Sequence, residues 1–497
     1  MMKLNIKETF TTELPADSNL ENSRRQVTEA VFSYVSPKKT KAPKVIHTSQ
    51  EMANELGISE EETKSEFFKN IVTGNEIYPN TKPFAMCYGG HQFGNWKVQL
   101  KGAGETPYSR TADGLAVLRS SIREYLCAEA MFHLGVPTTR SLSLSLSGDN
   151  VLRDVLYDGN PAYEKGAIVS RISPSFLRFG NYEIFAARKD VKNLKILVDY
   201  TIKHHFSHLG KPSKETYINF FKEVSERTLE MIIHWQRVGF VHGVMNTDNM
   251  SILGLTIDYG PYGWLESFDF GWTPNTTDRQ NKRYRYGNQP NIGLWNLFQL
   301  ANALYPLIED IPPLEAVLAD YKTNFEQKSL AMMKSKLGLF TTNKNDLDMI
   351  QNLEDTLQLV ETDMTIFFRN LSNFSDENSS IELIKDAFYD IENISDDVKN
   401  LWNTWLKTYK ERLKKEALSH QERKEKMNAV NPKYVLRNYM AQLAIDAAND
   451  GDYSLIDELY QLLKNPYSEQ TENEKWFVKR PEWARNKVGC SMLSCSS

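Results

Sequence analysis

The sequence predicts an α+β fold in which a small lobe containing β-strands precedes a larger helical lobe. Most glycine-rich motifs lie between residues 81 and 180, where 151–156 and 166–172 have the pattern of strands. From about residue 190 onward, apolar residues recur mainly at helical spacing. The 497 residues, 41% of them hydrophobic, suffice for one large core or two lobes. We divide the chain into an N-terminal extension (1–80), a small lobe (81–185), a helical lobe (186–480) and a flexible, cysteine-containing tail (481–497).

Composition and charge argue against two classes of partner. No run approaches eighteen apolar residues, so we expect no membrane span. The net charge of −5 gives no reason to expect nucleic-acid binding. The N-terminus lacks an apolar signal core, and Glu8, Glu13 and Asp17 argue against an acid-poor transit peptide. We therefore expect a cytoplasmic protein.

The most informative run is 242–249, His-Gly-Val-Met-Asn-Thr-Asp-Asn, which Asp258 follows in an Ile-Asp-Tyr-Gly turn. Protein kinases place a base Asp two residues after the His, a metal-binding Asn after that Asp, and then a metal-binding Asp. Here Val244 holds the base position, whereas Asn249 and Asp258 hold those of the metal ligands. Asp248 adds a carboxylate beside the Asn. The run predicts nucleotide chemistry in which the carboxylate that activates the acceptor stands at a different position from that in protein kinases.

The flanking sequence places this run in a loop between ordered elements. Helical spacing of apolar residues from Tyr217 to Trp235 stops at Gly239, and 251–257 has the pattern of a short strand or hairpin that delivers Asp258. An amide and a carboxylate on loops suit Mg²⁺, which binds few protein oxygens together with phosphate oxygens. The plainer alternative is that the Asn and Asp residues of this run only form turns.

A second set of residues begins at Lys101, which ends an apolar segment and starts the motif Lys-Gly-Ala-Gly. Glycines let a backbone approach a ligand closely, and the lysine can offer its ammonium to phosphate. A helix is predicted over 116–134, and its Glu124 can pair with Lys101, as a strand Lys and a helix Glu do in kinases. Taken separately, each residue fits a solvated position better, but the order Lys, Glu, Asn, Asp favours a kinase-like site. The apolar stripe of this helix is formed by Leu118, Ile122, Leu126 and Phe132.

Two arginines, Arg171 and Arg178, lie seven residues apart in a segment that also contains proline and glycine. Both guanidinium groups can face one phosphate chain, which arginine binds in a bidentate manner. On its own this spacing is weak, because paired arginines commonly form structural salt bridges.

These motifs together resemble the selenoprotein O family, and the similarity covers nearly the whole chain. The last three residues, Cys-Ser-Ser, match the family's tail, where selenocysteine or cysteine occupies the same position. The matching segments are Tyr88-Gly-Gly-His-Gln-Phe-Gly94, Lys101-Gly-Ala-Gly104, Thr106-Pro-Tyr-Ser-Arg110, Leu118-Arg-Ser-Ser-Ile-Arg-Glu124, Leu177-Arg-Phe-Gly180 and His242-Gly-Val-Met-Asn-Thr-Asp-Asn-Met250.

The resemblance implies a protein-kinase-like (pseudokinase) fold and a protein adenylyltransferase. It implies that ATP binds in the reverse direction to that in a kinase, so that AMP reaches a Ser, Thr or Tyr hydroxyl of a target protein. Mg²⁺ or Mn²⁺ is the implied cofactor, and UMP transfer from UTP with Mn²⁺ is implied as a further activity. The implied site residues are Lys101, Asp113, Gly114, Glu124, Arg171, Arg178 and Asp258 for nucleotide, Asn249 and Asp258 for metal, and Asp248 as proton acceptor.

One departure from the family pattern lies between its Gly-His-Gln-Phe-Gly and Lys-Gly-Ala-Gly motifs. The family has a further segment there with a phosphate-contacting Gly-Asp-Gly-Arg turn, whereas here 95–100 joins the two motifs directly. Three functions therefore remain open: an active protein adenylyltransferase, a catalytically impaired pseudokinase that acts as a redox-linked binding protein, and a small-molecule phosphotransferase. Val244 argues against the last, because it replaces the base of that class.

Four cysteines are too few for a disulfide scaffold in a chain of this length. Cys87 and Cys127 lie in apolar segments and are predicted to be buried. Cys490 and Cys495 lie in a small polar tail, where they are able to form a labile disulfide or to capture thiol partners. The alternative is a tail without structure and with incidental cysteines.

Overall fold

The computed structural model describes residues 4, 8–93, 97–155, 157–490 and 492–494. The strands are β1 (Phe32–Tyr34), β2 (Lys44–Thr48), β3 (Phe84–Met86), β4 (Gly89–Phe93), β5 (Lys97–Lys101), β6 (Ala116–Val117), β7 (Arg140–Arg153), β8 (Ala162–Ser173), β9 (Phe240–Val241) and β10 (Gly263–Trp264). The helices are α1 (Thr9–Glu13), α2 (Gln50–Glu55), α3 (Glu60–Thr63), α4 (Glu66–Val72), α5 (Leu118–His133), α6 (Phe179–Ala187), α7 (Val191–His205), α8 (Lys214–Val238), α9 (Gln289–Ile308), α10 (Ile311–Lys336), α11 (Asp346–Leu357), α12 (Met364–Leu371), α13 (Asp396–Leu413), α14 (His420–Asn428), α15 (Asn438–Asn449) and α16 (Ser454–Leu463).

Strands from the first third of the chain form one antiparallel sheet. In the described residues its order is β1-β3-β4-β5-β8-β7-β2, with β6 paired to β8. Helices from α6 onward form the remainder, apart from the short pair of β9 and β10. The predicted α+β class is confirmed, because strands and helices are segregated along the chain. The sheet also draws on residues before 81, since β1 and β2 come from the segment treated above as an extension.

The hairpin of β4 and β5 lies where the family's additional segment is missing. The two strands pair directly, with His91 opposite Leu100 and Phe93 opposite Val98. Residues 94–96, which connect the strands, lie outside the described residues. The sheet therefore continues across this position from β3 to β8.

Helix α5 packs on one face of the sheet and carries the glutamate predicted to pair with Lys101. It runs over Leu118–His133, close to the predicted 116–134, and Gly135 follows it with a φ of 71°. Leu118, Ile122 and Leu126 are buried in the largest core cluster, as predicted. Phe132 is 44% exposed, so its assignment to the apolar stripe is wrong. It lies in the last turn of the helix, where the Arg140 guanidinium covers its ring.

The other face of the sheet is covered by the segment that contains α2, α3 and α4. A separate core cluster joins Met52, Phe68 and Ile71 from these helices to Val98 and Ile172 from the sheet. The apolar face of the strand that carries Lys101 is therefore packed against this segment. Such packing holds the strand in place, with Gln99 and Lys101 on its opposite face.

The helical lobe delivers the loop with the kinase-like spacing from the end of α8. This helix ends at Val238, and Gly239 caps it with a φ of 74°, as the sequence predicts. The predicted strand or hairpin over 251–257 is not formed as an element: Ser251 and Thr256 make only isolated bridges, with Arg178 and Thr138. The segment is instead held by contacts with neighbouring loops, which its apolar, β-branched sequence does not reveal.

The C-terminal segment packs against the protein. Cys490 is 2% exposed, so it is a buried thiol, in contrast to the accessible one expected there, and burial raises its pKa to about 11. Leu493 bonds with the backbone at Pro274 and Thr276. Cys495 lies outside the described residues. Of the cysteines predicted to be buried, Cys127 is fully buried, and Cys87 is partly exposed.

A search of the described residues for helices of membrane-spanning length and hydropathy finds none.

Candidate nucleotide site

Strand β5 positions Lys101 and a second polar residue, Gln99, on one face of the sheet. Side chains alternate along a strand, so residues two apart point the same way. The neighbouring strand β8 places Arg171 directly opposite Gln99 in the register. The Arg171 guanidinium donates a hydrogen bond to the Gln99 Oε1. Two adjacent strands thus deliver a lysine and an arginine to one place.

Glu124 joins these two cations from helix α5. Its side chain is fully buried, and one carboxylate oxygen forms an ion pair with the Lys101 ammonium. The other accepts a hydrogen bond from Arg171 Nη1 at 2.8 Å. The Lys–Glu pair expected from the sequence is therefore present, and an arginine completes it.

Asp258 extends this group of charges from the helical lobe. Its Oδ1 lies 2.8 Å from Arg171 Nη1, and its Oδ2 lies 2.7 Å from Arg178 Nη2. Burial would raise the pKa of Asp258, but the charges of Arg178 and Arg171 outweigh burial and hold this pKa well below its ordinary value. We call Lys101, Glu124, Arg171, Arg178 and Asp258 the ion-pair network.

Backbone geometry fixes the carboxylate of Asp258. The residue has a φ of 57°, a left-handed conformation that is uncommon for a residue with a side chain. The buried His242 donates a hydrogen bond from Nε2 to the Ile257 carbonyl at 2.8 Å, immediately before Asp258. The histidine of the loop motif thus acts as an anchor for the turn that presents the carboxylate.

Arg178 stands at the junction of the two lobes. Its side chain is 1% exposed, and its guanidinium donates to the carbonyl of Tyr88 at the edge of the sheet. Its backbone N–H donates to Asn181 Oδ1 at 2.8 Å, at the start of α6. One arginine thus connects the strand-bearing region, α6 and Asp258.

Asp248 and Asn249 lie in the 3₁₀ turn Thr247–Asn249, beside the ion-pair network. The amide nitrogen of Asn249 donates to the Val244 carbonyl at 3.0 Å, which leaves its Oδ1 without a partner among the described residues. The Asp248 carboxylate is 27% exposed and, among the described residues, pairs only with the outer Arg110, at 3.3 Å. The turn therefore presents one amide oxygen and one weakly paired carboxylate.

Asp113 and Gly114 lie outside the ion-pair network. Arg153 holds the Asp113 carboxylate through two hydrogen bonds, of 2.7 and 2.9 Å. Gly114 has a φ of 68°, and a Cβ there would lie 2.1 Å from the Gly104 carbonyl oxygen. This close approach of two backbones requires glycine, and it shapes the loop between β5 and α5.

The motif analysis assigned no role to Gln99, Tyr88 or Arg110, although all three touch predicted site residues. Strand alternation gave a usable signal for Gln99, two residues before Lys101. Tyr88 acts through its backbone carbonyl, which side-chain chemistry cannot reveal. Arg110 meets Asp248 across 138 residues of sequence, and no local pattern predicts such a contact.

The arrangement suits an anionic ligand that is bound with a divalent cation. Three cations converge on two carboxylates, and Lys101 and Asp258 are partly exposed, so the network can exchange internal pairs for phosphate oxygens. The Asn249 amide and the Asp258 carboxylate are hard oxygen donors of the kind that Mg²⁺ and Mn²⁺ accept. In the described part of the chain, no group of three or more His, Cys, Asp or Glu side chains is arranged to hold a metal ion by itself. The phosphate oxygens of an anionic ligand would have to complete the coordination. The fold and the site define an α+β protein with a cluster of three cations and two carboxylates where strands β5 and β8, helix α5 and the Asp258 turn meet.

The sequence profile of the family described as "Protein adenylyltransferase SelO" matches residues 16–100 and 97–464. The chain belongs to this family. It is 60% identical to the protein nucleotidyltransferase YdiU of Flavobacterium johnsoniae, over all of both chains. It is 49% identical to the proteins of that name from Rhodopirellula baltica, over 99% of both chains, and Aromatoleum aromaticum, over all of both. The chain is accordingly an enzyme, a nucleotidyltransferase.

The profile match is divided into two segments that meet at residues 97–100. These residues belong to β5, directly after the position at which the motifs indicate a missing segment. The alignment with the Flavobacterium johnsoniae protein is 522 residues long, against 497 residues in this chain, so that relative contains residues that this chain lacks.

Proposed function

We propose that this protein transfers AMP from ATP to the hydroxyl groups of Ser, Thr or Tyr in target proteins, and UMP from UTP when Mn²⁺ is bound. The observation that carries the proposal is the ion-pair network with Asp248 beside it and Val244 at the kinase base position. The network supplies cations for a polyphosphate, while the acceptor-activating carboxylate stands at a new place. The family's description as a protein adenylyltransferase and the name protein nucleotidyltransferase of its relatives support transfer of a nucleotidyl group to a protein.

In this proposal the two parts of the molecule are the lobes of a protein-kinase-like fold, and the nucleotide binds between them. Lys101, Arg171 and Arg178 bind the β- and γ-phosphates, and Glu124 holds the first two in position. Asp113 and Gly114 serve the nucleotide through the shape of the loop between β5 and α5, since Asp113 is engaged by Arg153. A cytoplasmic location belongs to the same proposal.

A divalent cation would be held by Asn249 Oδ1 and Asp258, and it would supply neutralisation of the charge that develops on the phosphate oxygens. The chain's own contribution is to hold these two donors on rigid supports, through the Asn249–Val244 hydrogen bond and the His242 anchor before Asp258. Asp258 would then share its carboxylate between the cation and the guanidinium groups of Arg171 and Arg178.

Asp248 accepts the proton of the acceptor hydroxyl. The hydroxyl oxygen forms a bond with the α-phosphorus, the bond to the bridging oxygen breaks, and pyrophosphate leaves with its electron pair. Asp248 suits this role because its carboxylate is partly exposed and engaged only by Arg110. The carboxylates of Glu124 and Asp258 are committed to cations, the first with Lys101 and Arg171 and the second with Arg171 and Arg178.

A second candidate function is that of a catalytically impaired pseudokinase with a redox-linked binding role. The divided profile match and the direct pairing of β4 with β5 favour it, because the motif pattern of the family implies a phosphate-contacting segment between these two strands that this sequence lacks. The burial of Cys490 counts against thiol exchange at that residue. A thiol role of the tail would then depend on Cys495.

ATP labelled at the α- or the γ-phosphate separates these functions. Incubation with hydroxyl-bearing proteins and Mg²⁺ or Mn²⁺ is expected to transfer label from the α-position only. Transfer from the γ-position only would identify a phosphotransferase and overturn the proposal. Absence of both labels, with ATP binding retained, would favour the impaired pseudokinase.

A further inference from the structure

A second cavity, of about 480 Å³, lies next to the ion-pair network. We call it the Tyr88 pocket. Its described lining residues include five that the argument uses: Val27, Tyr88, Arg110, Phe185 and Arg188. Its size is in the range of pockets that hold a small ligand or a few side chains.

The Tyr88 pocket combines an apolar interior with a basic rim. Val27 and Phe185 are buried at 6 and 5% exposure, and tyrosine rings lie beside them. None of its described lining residues is acidic, whereas Arg24, Arg25, Arg110 and Arg188 are all among them. The pocket is therefore suited to a ligand that has a short apolar part and a negative charge.

The four arginines differ in how far their charges are neutralised. Arg24 pairs with Glu105, and Arg25 with Asp17 at 2.5 Å. Arg188 donates to the Val27 carbonyl at 2.6 Å and has no carboxylate partner among the described residues. Its charge is thus available to an anion from outside the chain.

The Tyr88 pocket is joined to the site at two points. Arg110 lines the pocket and extends to the Asp248 carboxylate at 3.3 Å. Tyr88 lines the pocket with its ring, while its carbonyl accepts from Arg178 of the ion-pair network. A ligand in the pocket would therefore lie beside the proton acceptor and outside the network of phosphate-binding cations.

We propose that the Tyr88 pocket binds the acceptor protein, and that it selects hydroxyl groups with an acidic side chain close by in the sequence. This inference rests on the proposed function. Asp248 accepts the proton of the acceptor hydroxyl. The segment of the acceptor protein next to this hydroxyl therefore passes Arg110 and enters the pocket. Its acidic side chain pairs with Arg188, and its apolar atoms pack on Val27 and Phe185. The phosphates of the nucleotide already have partners in the network, which leaves the pocket for the acceptor.

Two synthetic peptides test this proposal. Both peptides contain one serine and one tyrosine in the same surrounding sequence. The first peptide also carries three Glu residues, and the second carries three Lys residues at the same positions. Transfer of α-label is measured with wild type, Arg188→Glu, Arg188→Gln and the control Lys407→Glu. Lys407 is an exposed residue of α13 with no recorded partner, so its reversal changes net charge equally. Thermal melting reports whether loss of the Arg188–Val27 hydrogen bond destabilises the fold. If Arg188→Glu does not fold, Arg188→Gln replaces it in the comparison of the two peptides.

Wild type is expected to prefer the Glu peptide by about tenfold or more in kcat/KM, the effect of one charge-assisted hydrogen bond. Arg188→Glu should remove or reverse the preference, with the KM for ATP unchanged, and Lys407→Glu should behave like wild type. Equal use of both peptides by wild type would overturn the proposal. The proposal would also be overturned if Arg188→Glu raised only the KM for ATP and left the peptide preference unchanged, because the pocket would then bind the nucleotide.

Failure of the proposed function gives a different result. If wild type labels neither peptide, binding of fluorescent forms of both is measured by anisotropy without ATP. Tighter binding of the Glu peptide by wild type and Lys407→Glu, with loss in Arg188→Glu, would support the pocket assignment alone. Equal binding of both peptides by wild type would overturn it.

Discussion

The two sides of the site differ in how their charges are held. On the inner side, Glu124 is fully buried and Arg171 is 5% exposed, and both have partners at hydrogen-bond distance. On the outer side, Asp248 is 27% and Arg110 is 73% exposed, and 3.3 Å separates them. The inner charges are fixed before any ligand arrives, whereas the outer ones remain free to meet a macromolecule. In the proposed function, nucleotide binding and positioning would belong to the inner side, and proton exchange with the acceptor to the outer side.

This difference has a consequence for stability. Removal of one member of a buried ion pair costs about 3–5 kcal/mol, because the other charge is left without compensation. An exposed pair contributes about 0–1 kcal/mol. Variants of the inner side should therefore lose stability and transfer together, and variants of the outer side should lose transfer alone.

The largest effect is expected for Asp258→Asn. It should abolish nucleotide transfer, since it removes a cation ligand, and it should lower the free energy of unfolding by about 3 kcal/mol or more. Two buried arginines lose their shared carboxylate in this variant. Denaturant unfolding and α-label transfer measure the two effects, with Asp348→Asn, an exposed position of α11, as control. Near-normal transfer with Mg²⁺ would contradict the assignment of Asp258.

The next largest effect is expected for Asp248→Asn. Loss of a general base lowers transfer by about 10²–10⁴-fold, while ATP affinity and the unfolding midpoint should stay close to wild type. The reason is its weak structural engagement, a single contact with an exposed arginine. Rate measurements and ATP titration separate the two quantities. A parallel loss of ATP binding would show that Asp248 acts in metal binding or structure, and the contrast between inner and outer sides would fail.

Sequence reasoning predicted much of the inner side, because its residues belong to elements with strong local patterns. The helix that carries Glu124, its stop at Gly135 and the cap of α8 at Gly239 follow from periodicity and glycine. The order of Lys101, Glu124 and Asp258 along the chain then predicts one site. The role of Asp258 in stability could not be predicted in this way. A carboxylate in a loop is expected to affect folding little, but Asp258 contacts two buried arginines.

The outer side was harder to predict, because contacts between distant loops determine it. Arg110 and Asp248 meet through the packing of the β5–α5 loop on the helical lobe, and neither residue has a local signature for that contact. Arg188 belongs to the end of α6, where a cation commonly complements a helix C-terminus. The burial of Cys490 has the same origin, since its small polar neighbours predict exposure and long-range packing decides otherwise. Roles in catalysis remain predictions in both regions.

The third effect concerns the β4–β5 hairpin, which borders the inner side. Insertion between Phe93 and Lys97 of the glycine-rich segment that the family pattern implies there should raise ATP affinity by about a hundredfold or more. Two charge-assisted backbone contacts to phosphate, each about 1.5–3 kcal/mol, account for that gain. Calorimetric titration of ATP into both proteins measures it. Equal affinities would mean that the existing inner-side cations suffice.

A carboxylate eight residues after Asp258 shows what burial does without close pairing. Glu266 is 7% exposed, and its nearest recorded cation contact is Arg480 at 3.3 Å, since Arg437 is held by Asp363 at 2.6 Å. Burial raises the pKa of Glu266 from 4.5 to about 7, although Arg437 and Arg480 act in the opposite direction. Asp258, whose side chain is 23% exposed and has two arginines within 2.8 Å, has its pKa lowered. Close pairing with two arginines thus accompanies a lowered pKa, and deep burial with one longer contact accompanies a raised pKa.

The smallest effect, expected for Glu266→Gln, tests that rule. The folded-state pKa of Glu266 lies above the unfolded one, so its contribution to stability is present below about pH 4.5 and is lost as pH rises through about 7. The variant should therefore be more stable than wild type at pH 8, by about 1–3 kcal/mol, and the difference should shrink toward pH 5. Denaturant unfolding at several pH values measures it, with the exposed Glu392→Gln as control. A difference that does not change with pH would show that Glu266 is ionised throughout, and that a 3.3 Å arginine contact stabilises a buried carboxylate as well as the two shorter contacts of Asp258 do.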